Sequence, residues 1–174
     1  MKNKIILLSA GLIFMATYFI SCKALDVEKE FYLEHTFDIL GADKNFNMDY
    51  LMDATSESNE FKDYVDLIKS IEVQDISYEI TYHNGSETQR IDLATLTYAD
   101  ANGIEPETIV TLTDLNLASS VGKIVEQLDG QGPVELIQNE PHAFLINLTG
   151  STNETPLDFK MKVKFKVKMI ANPL

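Results

Sequence analysis

Residues 157–171 alternate between apolar and polar almost without interruption. Leu157, Phe159, Met161, Val163, Phe165, Val167, Met169 and Ala171 are separated by Asp158, by Lys160, Lys162, Lys164, Lys166 and Lys168, and by Ile170. Period two over fifteen residues predicts a long β-strand with one buried face and one wet face. A slip of one residue would bury the lysines, so the register is tightly specified.

The same period recurs upstream. Phe31, Leu33, His35, Phe37 and Ile39 define a first strand, and Phe46, Met48, Tyr50, Met52 and Ala54 a second, with turn residues at 41–45 between them. The period then lengthens. Phe61, Tyr64, Val65, Ile68 and Ile71 predict a helix over residues 59–69, N-capped by Ser58. Period two returns over 73–82, with Ile76, Tyr78, Ile80 and Tyr82 on one face. Asn84-Gly85 next predicts a two-residue hairpin turn into a return strand, because both residues tolerate positive φ. That strand changes phase between Leu93 and Leu96, which predicts a bulge near Ala94-Thr95.

Residues 100–103 read as a turn and 108–117 as a strand. Val121, Ile124, Val125 and Leu128 follow helical spacing up to Asp129-Gly130, and 133–138 reads as a further helical turn. Phe144, Ile146 and Leu148 form a strand, followed by a polar turn over 150–156. About seven strands with one or two short helical insertions predict a mainly β chain, an antiparallel two-sheet sandwich, immunoglobulin-like or related. A closed barrel is the alternative. Long alternating strands at both ends of the domain suggest that these two lie close together.

The N-terminal pattern is different in kind. Lys2 and Lys4 precede an uncharged stretch over residues 5–21, closed by Ser21 and Cys22, the chain's one cysteine. A basic head, an apolar run and a small residue make an export signal. The stretch is 17 residues long, at the lower limit for crossing a bilayer. Three readings compete: a spanning anchor, a cleaved signal ending at Cys22-Lys23-Ala24, and a lipoprotein signal in which Cys22 is lipidated. The cysteine count favours the last, since a lone exported thiol cannot form an internal disulfide and thioether attachment gives it a role. The chain thus divides into a signal peptide at 1–21, a lipidated cysteine and tether at 22–30, and one domain at 31–174.

Charge narrows the partners. Beyond Cys22 the chain has 12 basic residues against 27 acidic ones, a formal −15, which disfavours nucleic acid. Five of the 12 are the lysines of 160–168. They admit a structural reading, as a solvated face opposite outward acids such as Glu34, Asp38, Asp49, Asp53 or Glu79, or as guards of an edge strand. They also admit a functional one, a strip binding an anionic glycan, a lipid headgroup or a protein partner.

Catalytic signals are weak. His35, His83 and His142 lack metal-ligand spacing, His35 reads as a core histidine and His83 as exposed. Asp100, Asn102, Gly103 and Glu105 are only part of a calcium-loop pattern. Tyr78 and Tyr82 read as core, and the chain has no tryptophan for sugar stacking. The expectation is a non-enzyme with neither cofactor nor metal.

Phe19-Ile20-Ser21-Cys22-Lys23, the segment 76–93 around Asn84-Gly85 and the ending 160–174 together resemble the small β-sandwich lipoproteins of the Bacteroidota cell envelope. The resemblance implies a chain anchored to the bacterial outer membrane through Cys22. It would serve as a structural or partner-binding module, or else as an accessory protein using Lys160–Lys168 to hold a glycan or lipid.

Overall fold

A computed structural model of the protein describes residues 26–127 and 132–172. The expectations for the signal peptide, for Cys22 and for Leu128 to Gly130 lie outside these residues. Eight strands are present among them: β1 (Val27–Gly41), β2 (Asn45–Asp53), β3 (Ile68–His83), β4 (Arg90–Asp100), β5 (Glu107–Asn116), β6 (Ile124–Gln127), β7 (Ala143–Thr152) and β8 (Leu157–Ala171). They form two antiparallel four-stranded sheets, ordered β1-β8-β3-β6 and β2-β7-β4-β5. The antiparallel two-sheet sandwich is as expected.

Its winding can be read from the pairs. β1 pairs with β8, β2 with β7, β3 with β6 and β4 with β5, so the chain is one long hairpin of eight strands rolled into two sheets. This is the jelly-roll arrangement, which shares two packed antiparallel sheets with the immunoglobulin sandwich but orders its strands differently. The terminal strands lie side by side along their whole length, from Val27 opposite Ala171 to Gly41 opposite Leu157. β1 begins at Val27, inside the segment read as tether.

β8 is the spine of the first sheet. All eight of its inward side chains are buried, none more than 3% exposed. Phe165 meets Phe144 of β7 edge-on at 5.3 Å and Phe159 meets Phe46 of β2 at 5.7 Å, which ties the two sheets together. Burial of each such side chain stabilises the fold by roughly 1.5–3 kcal/mol.

The structure changes several local expectations. Ser58 does cap a helix, its Oγ accepting from Phe61 N at 3.1 Å, but this helix, α2 (Asn59–Tyr64), is short. Before it lies α1 (Ala54–Glu57), capped by Asp53, and after it a single 3-10 turn leads into β3. Ile68 and Ile71 leave the helix because Ala171 and Met169 of β8 pair with them. Two further short helices, α3 (Leu117–Ser120) and α4 (Val134–Gln138), complete the described elements. Ile124 and Val125, read as helical, belong to β6 and pair with Glu79 and Tyr78. The open edge of β3 supplied hydrogen bonds that a short helix could not match.

Asn84-Gly85 does not make a hairpin, because β3 and β4 belong to different sheets. Asn84 instead joins Asp158, through its backbone N to O at 2.9 Å and its Nδ2 to Oδ2 at 2.7 Å. Gly85 lets Gln89 approach: a Cβ there would lie 2.0 Å from Gln89 Oε1. In β4 the phase change falls at Asp92 rather than at Ala94-Thr95, where the register against β7 shifts, and leaves Leu93 exposed. A shift between Ile80 and Tyr82 likewise turns Tyr82 out of the core to lie opposite Lys160.

Candidate functional site

The lysine strip occupies the outer face of the first sheet. β8 lies between β1 and β3, so the lysines do not guard an edge. Register places Glu30, Glu34 and Asp38 of β1 opposite Lys168, Lys164 and Lys160, and Glu72, Asp75 and Glu79 of β3 opposite Lys168, Lys166 and Lys162. With Glu28, the two flanking strands bring seven carboxylates to five lysines.

Each lysine has a close partner. Lys160 reaches Asp38 at 3.0 Å, Lys162 Glu79 at 3.8 Å, Lys166 Glu30 at 3.2 Å and Lys168 Glu28 at 2.9 Å. Lys164 sits over the Tyr32 ring, 3.8 Å from its centroid. The hydrogen bond and charge of Glu28 hold Lys168 above its usual pKa. Glu34, Asp38 and Glu79 thus lie where the structural reading put them, while Asp49 and Asp53 belong to the other sheet. Four of the five aligned cations are matched by carboxylates, and the fifth, Lys164, is held over a ring.

The three histidines are dispersed and engaged. His35 is half-buried on the edge strand β1, stacked on Tyr50 of β2 at 3.5 Å and 10°, and burial lowers its pKa. Burial and the Glu57 carboxylate, which accepts from the Tyr50 hydroxyl at 3.0 Å, raise the pKa of Tyr50. Burial also raises Glu57, with Asp53 and Glu34 adding to the effect. His83 is half-buried rather than exposed, bonded to Gln89 Oε1 at 2.9 Å. His142 Nδ1 meets Ile137 O at 2.9 Å.

The partial calcium pattern is a closed turn. Asp100 Oδ1 accepts from Ile104 N at 2.7 Å and Asn102 N at 2.9 Å, which lowers its pKa. Glu107 accepts from the Tyr98 hydroxyl at 2.6 Å. Among the described residues, no group of three or more His, Cys, Asp or Glu could hold a metal ion.

The outer face of the second sheet has the opposite chemistry, and sequence reasoning passed over it. Asn47, Thr149, Thr95 and Thr111 form one rank across β2, β7, β4 and β5. Asn45, Ser151, Leu93 and Thr113 form the next rank toward one end, and Asp49, Asn147, Thr97 and Thr108 the next toward the other. Asp49 is the single charged member, and Asn147 Nδ2 donates to it at 2.6 Å. The pairs Thr95/Thr97 and Thr111/Thr113 were visible as uncharged outward positions, but only strand order shows that they share a face.

No protein-family model matches the chain, and no curated protein matches it. Solved structures similar to it include Desmodium yellow mottle tymovirus, at 11% identity over 86% of this chain and 89% of that one, TM-score 0.41. Turnip yellow mosaic virus is 11% identical over 87% and 96%, TM-score 0.39. The decameric BFDV capsid protein is 8% identical over 82% and 99%, TM-score 0.39. At these scores the likenesses carry no argument about what this chain does.

Proposed function

We propose that this chain is a lipid-anchored protein of the bacterial outer membrane that acts as a structural or ligand-binding module and performs no catalysis. The observation that carries the binding role is the contrast between the two outer faces. One is closed mostly by its own ion pairs, and the other has three central ranks rich in hydroxyls and amides, in which Asp49 is the single charge. The engagement of His35, His83 and His142 with separate structural partners supports a non-catalytic role.

The anchor rests on Cys22 and the apolar run before it. Five peptide steps separate Cys22 from Val27, at most about 18 Å when fully extended, so the domain would stay close to the bilayer. A lipid anchor holds firmly when two signals combine, as in dual acylation. The alternative, in which Lys160, Lys162, Lys164, Lys166 and Lys168 take an anionic glycan or lipid headgroup, is weaker. An anion would have to displace carboxylates already in place.

Detergent-phase partition of the full chain expressed in a bacterial envelope, with intact-mass analysis, tests the anchor. Wild type should enter the detergent phase with its N-terminus at an acylated Cys22, and Cys22→Ser should not. A bare thiol at Cys22, or a Cys22→Ser chain that partitions like wild type, would refute it.

A further inference from the structure

We infer that the outer face of the second sheet binds an uncharged carbohydrate in the groove lined by Asn45, Asn47, Leu93, Thr95, Thr149 and Ser151. This groove is open to solvent and has a volume of about 460 Å³. The inference adds a ligand class to the reading of the chain as a binding module.

The geometry is that of a shallow trough along β7. The short Thr149 and Ser151 side chains make its floor, Asn45 and Asn47 of β2 its one wall, and Leu93 and Thr95 of β4 the other. Gly150 holds the sheet tightly closed beneath, since a Cβ there would lie 2.6 Å from Leu93 O and 2.6 Å from Ala94 Cβ. The amides are oriented in advance. Asn147 Nδ2 donates to Asn47 Oδ1 at 2.6 Å, so Asn47 keeps its own N–H donors for the groove. Thr149 Oγ1 donates to Phe46 O at 3.4 Å, which leaves its lone pairs to accept.

The side chains select the ligand by what they lack. No lysine or arginine lines the groove, so phosphate, sulfate and carboxylate ligands find no counter-charge. The cations nearby in sequence are occupied: Lys44 donates to Asn153 O at 2.6 Å, and Arg90 lies between Asp114 at 2.9 Å and Asp92 at 3.3 Å. No carboxylate lines it either, so a cation is equally unmatched. Protein partners are held chiefly by aromatic or arginine anchors, and Phe46, the one aromatic residue lining the groove, is buried and packed inward on Phe159.

What remains is a ligand whose groups both donate and accept while carrying no charge. Sugar hydroxyls match threonine and serine hydroxyls and asparagine amides in this respect. Leu93, half exposed, offers an apolar edge to the C–H face of a sugar ring. In a chain with a formal charge of −13, such a face is a marked departure from the surrounding surface.

Position agrees with chemistry. β1 rises from Val27, next to the tether, to Gly41, and the turn there leads directly to Asn45. Fourteen residue steps at about 3.3 Å carry the chain roughly 45 Å. The groove therefore lies toward the opposite end of β1 from Val27, the end that the proposed anchor at Cys22 would turn away from the bilayer.

Affinity electrophoresis of the full chain, in a zwitterionic and sugar-free detergent, tests the inference. Native gels would contain dextran, mannan, galactomannan or β-1,3-glucan, with heparin and alginate as anionic counterparts. Wild type should be retarded by at least one neutral polysaccharide and by neither anionic one. Asn47→Ala with Thr149→Val, and separately Leu93→Ala, should weaken that binding about tenfold while melting within a few degrees of wild type. Lys162→Gln with Lys164→Gln and Lys166→Gln should bind the neutral polymer as wild type does. Failure of all four neutral polymers to retard the protein, retention by the anionic polymers alone, or undiminished binding by both groove variants would each overturn it. Detergent-phase partition of the same variants reads the anchor independently, so the two failures are distinguishable.

Discussion

Replacing Lys162, Lys164 and Lys166 together with glutamine separates a lysine strip that holds the sheet from one that waits for an anion. The substitution removes the Lys162–Glu79 and Lys166–Glu30 pairs and the contact of Lys164 with the Tyr32 ring. Exposed pairs contribute about 0.2–1 kcal/mol each and an exposed cation–π contact about 0.5–1, so roughly 1–3 kcal/mol is lost. Some of this is returned. The lysines stand about 6.7 Å apart, repelling by about 0.6 kcal/mol per neighbouring pair in water and less than half that at physiological salt. Four such pairs restore roughly 2 kcal/mol at low salt and roughly 1 kcal/mol at physiological salt. The flanking carboxylates then count against the variant, because two lysines rather than five face seven acids. The net expectation is a loss of about 1 kcal/mol at low ionic strength, or a few degrees in melting temperature. Urea unfolding at 20 mM and at 500 mM sodium chloride is the assay, and the difference from wild type should shrink at high salt. A variant as stable as wild type or more so at low salt would refute the reasoning, because it would mean that the lysines mainly repel one another.

Two other perturbations probe the loop staple and the sheet-edge stack. Gln89 is 1% exposed, and its Nε2 donates to Glu154 O at 3.0 Å and Pro156 O at 3.1 Å. Gln89→Leu leaves these carbonyls and His83 without it and should cost about 2–4 kcal/mol by thermal or urea melting, and a loss below 1 kcal/mol would contradict the assignment. Burial lowers the pKa of His35, so below the ordinary value near 6.5 the unfolded chain takes up a proton that the folded chain refuses. Stability should be full above that value and fall as pH drops through the window beneath it. His35→Phe should flatten this part of the profile, and an identical slope in both proteins would sink the idea.

The long strands were legible because period two tests every residue. β1, β2, β7 and β8 emerge from alternation alone, and the alternation of β8 left no second register open. Illegible features depended on neighbours distant in sequence. Ile124 and Val125 carry helical spacing, yet the free edge of β3 captured them. Ile68 and Ile71 fit the helical period equally well until β8 claimed them. Asn84-Gly85 is a strong local turn signal that was overruled by topology, since a jelly roll sends β3 and β4 to different sheets. The lysines were visible as a strip, and Glu34, Asp38 and Glu79 as acids that could oppose them, but only strand order separates these from Asp49 and Asp53 on the other sheet. The neutral groove needed still more: four strands must be ordered before Asn47, Thr149 and Thr95 are seen to be neighbours.

The matched charges also bear on how this fold is selected. β8 is the most apolar long strand and the one with most to gain from any partner, including a second copy of itself. Pairing two β8 strands antiparallel would set lysine against lysine at about 5 Å, a repulsion of about 0.8 kcal/mol per pair in water. Pairing with β1 or β3 sets the same lysines against Glu30, Glu34, Asp38, Glu72, Asp75 and Glu79. Hydrophobic alternation cannot distinguish these outcomes, because every partner offers a buried face. Outward charge can, and it favours two particular neighbours over self-association. The strip therefore specifies which strands flank β8 more than how stable the sheet becomes. That explains why seven carboxylates accompany five lysines in an acidic protein. Neutralising half of these acids instead, with Glu34→Gln, Asp38→Asn and Glu79→Gln, weakens the discrimination while keeping every apolar contact. The resulting chain should aggregate faster during refolding than wild type, as followed by light scattering on dilution from urea, and equal rates would show that burial alone chooses the neighbours of β8.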